Sequence, residues 1–89
     1  MEINKSISDV EGPWVGDTPT ALTQRCKKYW NVPIKSLPNL MLATYLNQRI
    51  AVNYVLLEAE KRIEQERFDD AELFEGQLVE AIERARLNQ

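Results

Sequence analysis

Val52-Asn53-Tyr54-Val55-Leu56-Leu57-Glu58-Ala59-Glu60-Lys61-Arg62-Ile63 is the stretch that decides the fold. Val52, Val55, Leu56, Ala59 and Ile63 fall at i, i+3, i+4, i+7 and i+11, one apolar stripe along a helix of 3.6 residues per turn. The spacing predicts an amphipathic helix with that stripe turned inward. Glu58, Arg62 and Glu66 then occupy the outer face as two i,i+4 opposite-charge steps, each worth about 0.2–0.5 kcal/mol.

The same period recurs to either side. The polar triplet Asn47-Gln48-Arg49 predicts a bend before this helix. Ser36 to Pro38 restart the chain for an earlier helix carrying Leu40, Leu42, Ala43, Leu46 and Ile50. Before that, Thr18 fits an N-cap and Pro19 the first helical position, where the missing N–H costs nothing. A helix is expected from Pro19 to about Trp30, with Leu22, Cys26 and Tyr29 or Trp30 on one face and Asn31-Val32-Pro33 as its stop. Gly12-Pro13-Trp14-Val15-Gly16-Asp17 reads as a turn-rich connector. Ahead of it, Ser6 can cap a short helix to Val10 or Glu11, with Asp9 as capping-box partner.

Beyond Gln65 the stripe is lost, and Gly76 breaks what precedes it. A last helix takes Leu78, Val79, Ile82 and Ala85 inward and pairs Glu80 with Arg84 outside. No alternating pattern lasts long enough for a strand. The expectation is an all-α, single-domain bundle of four to five short helices over residues 1–89, frayed at 1–5 and 86–89.

Composition narrows the function classes. With 89 residues, 44% hydrophobic and 28% charged, the chain matches an ordinary globular domain with a modest core. Cys26 is the one cysteine, so no internal disulfide forms, and at helical spacing it reads as a small core residue. No basic run followed by an apolar stretch marks a signal peptide. Ile50 to Leu57, interrupted by Asn53, is too short to cross a bilayer. A cytoplasmic protein without membrane association is expected.

Histidine is absent, which removes the usual base near neutral pH and the usual metal ligand. Asp69-Asp70-Ala71-Glu72 and Glu75 lack the spacing of a calcium loop, and Glu58 and Glu60, two apart on a helix, diverge. No enzyme, cofactor or metal is expected. Arg25, Lys27, Lys28, Tyr29, Trp30 and Lys35 interleave bases with aromatics, but the chain has net charge −3, whereas phosphate binding calls for basic excess. They read as a solvated face and a core edge, and no nucleic-acid partner is expected.

Charge is the remaining signal. From Glu58 onward there are ten carboxylates against five basic residues; residues 1–57 hold four against six. Helix faces absorb much of this acidity. The part they do not absorb is Glu66, Asp69, Asp70, Glu72 and Glu75, gathered around the break before the last helix, with Phe68 as an apolar anchor. Like charges held together without partners favour a cationic partner surface. Asp17, beside Trp14, is a second-rank contact.

The order Trp14-Val15-Gly16-Asp17, Cys26, Val32-Pro33-Ile34, Leu46-Asn47-Gln48-Arg49-Ile50, Tyr54 and Leu73-Phe74-Glu75-Gly76-Gln77-Leu78 resembles the small immunity proteins of bacterial contact-dependent growth inhibition systems. The resemblance spans about residues 6–84 and rests on the collinear series. Ala51 stands where that family tends to have Gly, Glu75 where it tends to have Pro, and Glu58 and Glu60 where apolar residues are expected. It implies a cytoplasmic protein that neutralises the C-terminal toxin domain of a large exoprotein, often a nuclease, in a 1:1 complex, by blocking its active site or substrate surface. The competing expectation is a small helical adaptor or regulator of another cytoplasmic protein.

Overall fold

The computed structural model describes residues 5–65 and 76–87. Among the described residues five helices follow one another: α1 (Ile7–Glu11), α2 (Ala21–Lys28), α3 (Asn39–Asn47), α4 (Val52–Glu64) and α5 (Gln77–Leu87), with one 3-10 turn, Ile34–Ser36, between α2 and α3. Among the described residues there is no strand, only an isolated bridge between Ser6 and Pro33. The fold is all-α. No helix among the described residues is long and apolar enough to cross a membrane.

Helix starts follow local hydrogen-bond chemistry. At α1 the Ser6 box forms as the sequence predicts: Asp9 N–H donates to Ser6 Oγ (3.2 Å) and Ser6 N–H to Asp9 Oδ2 (2.9 Å). The start of α2 is a correction. Its cap is Thr20, not Thr18, because Thr20 and Thr23 form a reciprocal box that satisfies two backbone donors where Thr18 would serve one. The helix is therefore shorter at both ends than Pro19–Trp30.

Helix α3 is the centre of the bundle. Met41 to Leu46 are all buried, as befits a helix apolar on every side, and α4 and α5 both pack against it. Trp30 joins this core from the end of α2. Its ring meets Trp14 edge-on at 4.9 Å and Tyr45 at 6.2 Å, and its Nε1–H donates to Gly12 O (2.8 Å). Tyr45 Oη donates to Cys26 O (2.7 Å). These contacts pin the 12–19 connector and the second helix onto α3. Cys26 is buried, and desolvation pushes its thiol pKa up, so it is a packing residue.

The predicted bend after Asn47 is a Schellman stop. Ile50 N–H donates to Tyr45 O (2.9 Å) and Arg49 N–H to Leu46 O (3.1 Å), with Arg49 in the left-handed region at φ 58°. Glycine is the usual occupant of that position, so Arg49 holds it against steric resistance. Ala51 is left-handed as well (φ 48°), and its N–H donates to Glu11 Oε1 (2.9 Å), which ties α1 to the start of α4.

The larger correction concerns α4. Val55, Leu56 and Ala59 are buried as the stripe predicts, while Val52 and Ile63 are only partly covered. Glu58 and Arg62, expected outside, are 2% and 4% exposed. They do pair at i,i+4 (Nε to Oε2, 2.8 Å), but inside the protein. The Arg62 guanidinium also donates to Leu37 O, to Asn39 Oδ1 (2.8 Å) and to Lys35 O (2.9 Å). Carbonyls of the 3-10 turn region face α4 here, and a fork of fixed donors answers them where an apolar residue could not. Leu57 is left 60% exposed. In α5 the inward set is Leu78, Ala81, Ile82 and Ala85; Val79, expected inside, is 37% exposed, and Ala81 is buried instead.

Candidate functional site

The acidic candidates Glu66, Asp69, Asp70, Glu72 and Glu75, together with Phe68, lie outside the described residues. Their sequence anchors are described: Gln65 closes α4, and Gly76 precedes α5. Asp17 is exposed in the connector that packs through Trp14 on Trp30. Trp14 is partly buried, with Nε1–H donating to Gly16 O (3.0 Å), so it acts as a plug on the aromatic cluster.

Between α4 and α5 runs a groove of about 340 Å³. Ile63, Val79 and Ile82 give it an apolar lining, and Glu60, Glu64 and Glu83 bring carboxylates from both helices. Arg86, also on the groove, pairs with Glu60 across the two helices. Three carboxylates against one guanidinium leave the groove acidic. Leu57, three residues before Glu60 and seven before Glu64, continues the exposed side of α4 with apolar surface.

The geometry follows from the helix periods. Glu60 and Glu64 are four apart and share the flank of α4 beside the buried stripe. Glu83 and Val79 are likewise four apart on the flank of α5. Packing α4 and α5 on α3 brings the two flanks together, which neither helix encodes alone. From sequence, Glu83 reads as an ordinary exposed helix residue. The available signal was the four-residue spacing of Glu60 and Glu64 in α4 and of Val79 and Glu83 in α5.

This arrangement suits recognition. Surface carboxylates over an apolar lining accept hydrogen bonds from lysine or arginine, while the lining buries their aliphatic stems. Among the described residues, no three His, Cys, Asp or Glu side chains are placed to hold a metal ion. Comparison of the chain with protein-family models, with curated proteins and with solved structures returns no match.

Proposed function

We propose that this chain is an immunity protein of the contact-dependent growth inhibition type. It binds the C-terminal toxin domain of a cognate exoprotein in a 1:1 complex and covers a cationic surface that the toxin needs for its substrate. The observation that carries this reading is the acidic groove between α4 and α5, with Glu60, Glu64 and Glu83 around Ile63, Val79 and Ile82. The carboxylates of Glu66 to Glu75 join the two helices that form it, so the acidity of the chain is concentrated on one stretch.

A nuclease must hold phosphates with basic side chains, and an acidic inhibitor presents the same charge as the substrate. Complementary potentials raise association rates about 10- to 1,000-fold, an effect that salt suppresses. Stoichiometric inhibition asks for no catalytic group, in keeping with a sequence that has no histidine.

The test is co-expression with the toxin domain encoded beside this chain, followed by binding kinetics. Glu64→Lys with Glu83→Lys, and separately Asp69→Lys with Asp70→Lys and Glu72→Lys, should slow association and weaken protection of the cell while helical circular dichroism is kept. Unchanged association and protection in both variants would defeat the acidic-surface reading. Protection absent even from the parent chain would point instead to an adaptor for another partner.

A further inference from the structure

The rims of the groove between α4 and α5 are periodic. On α4, Leu57, Glu60 and Glu64 stand three and then four residues apart; on α5, Val79, Glu83 and Arg86 stand four and then three apart. That is the 3.5-residue repeat by which one helix presents a seam to another. All six reach the surface at least in part, so each helix carries an outer seam besides the residues it buries in the core. Ile63 and Ile82 add their apolar surface to the groove between the seams. Of the four large apolar side chains exposed among the described residues, three (Leu57, Val79 and Leu87) are on these two helices.

We propose that the groove takes one amphipathic helix of the partner, apolar on the side laid against Leu57, Ile63 and Val79 and bearing lysine or arginine on its flanks. The occupant so named belongs to the immunity reading, in which this groove is the partner-binding surface. Leu57 to Glu64 and Val79 to Arg86 are each seven residues apart, about 10 Å or two turns along the axis, so a helix of about three turns covers both seams.

Charge complementarity selects this occupant. Arg86 pairs with Glu60, whereas Glu64 and Glu83 have no hydrogen-bond or ion-pair partner among the described residues. One uncompensated carboxylate therefore stands on each helix beside the apolar lining. Basic residues on the two flanks of an inserted helix meet them as e and g charges meet across a coiled-coil seam. A second copy of the chain brings the same acids to a two-fold contact and is repelled, as is an anionic lipid surface.

The test uses the full chain with labelled methyl groups and three stapled helical peptides of about 14 residues. One has leucines at heptad spacing with lysine and arginine on the flanks; the second is its isomer of equal charge with the leucines dispersed; the third carries glutamate in place of the bases. The first should shift the methyl signals of Leu57, Ile63, Val79 and Ile82 saturably and bind about tenfold more tightly than either of the others. Leu57→Ser, a surface change, should weaken it about fivefold, and Glu64→Gln with Glu83→Gln about two- to tenfold. Equal binding of peptide and isomer would overturn the helix in favour of bare charge attraction. Methyl shifts that follow protein concentration without peptide would assign the groove to a second copy and overturn it too, as would the absence of any shift up to about 1 mM peptide. Toxin binding that is weakened by the paired Gln variant yet untouched by Leu57→Ser would leave the immunity reading standing and sink the helix alone. Peptide discrimination without toxin binding would do the reverse.

Discussion

Replacing Arg62 by Met tests the buried network that the structure places inside α4. The guanidinium is bonded to Glu58 at 2.8 Å, and the two side chains are 5% and 3% exposed. Methionine fills similar volume but donates nothing, so Glu58 is left as a buried carboxylate without its counter-ion. Losing one partner of a buried pair costs about 3–5 kcal/mol. The same change strips a donor from Leu37 O, Lys35 O and Asn39 Oδ1, each loss being worth about 1 kcal/mol or more. Methionine packing recovers some of this, and a net loss of about 4 kcal/mol is expected. Total stability for 89 residues is on the order of 4–13 kcal/mol, so the variant should lie near its unfolding threshold. Urea titration followed by circular dichroism measures the difference, and Arg62→Lys, which keeps the charge without the fork, should fall between parent and Met. A deficit under about 1 kcal/mol would refute the network as a stabilising element.

Three further outcomes follow from local chemistry. Arg49→Gly should stabilise the protein by about 1 kcal/mol and raise Tm by about 4–8 °C in a thermal melt, because glycine relieves the left-handed strain. Tyr45→Phe should cost about 1–2 kcal/mol by orphaning Cys26 O, and it should remove an alkaline sensitivity. Burial, then the neighbouring Cys26 and Tyr29, raises the Tyr45 pKa, so the parent loses stability as pH climbs above the ordinary tyrosine value of 10.0. Asp9 works in the other direction. Hydrogen bonds from Ser6 lower its pKa below 3.8, so its contribution is present above that pH and fades as pH falls through the folded value. Parent and Asp9→Asn should therefore converge in stability at strongly acidic pH, as read by chemical denaturation.

The helical nature of the chain was legible because its signals are local. Ser6 with Asp9, the stripe of α4, the break after Asn47 and the apolar run of α3 each depend on residues a few positions apart. The start of α2 was misplaced because Thr18 and Thr20 are both competent caps, and a reciprocal partner three residues on chose between them. Glu58 and Arg62 were misplaced for a deeper reason. Positions 55, 58, 59 and 62 also repeat at helical period, and only the polarity of two of them pointed outward. What reversed that preference was a set of carbonyls some 25 residues away in sequence, at Lys35 and Leu37.

The candidate site divides along the same line. The sequence by itself determined the class of fold, the absence of histidine and the concentration of carboxylates in the last third of the chain. Those properties belong to composition and to spacings within one helix turn or two. Tertiary structure alone decided that Glu60, Glu64 and Glu83 share a groove, that Arg49 and Arg84 share another, and that Glu58 belongs to neither. The physical reason is that a helix sorts its residues by angle, whereas a cleft is made where flanks of different helices meet. Which flanks meet is set by how α4 and α5 pack on α3, a matter of shape and buried hydrogen bonds that no single segment contains.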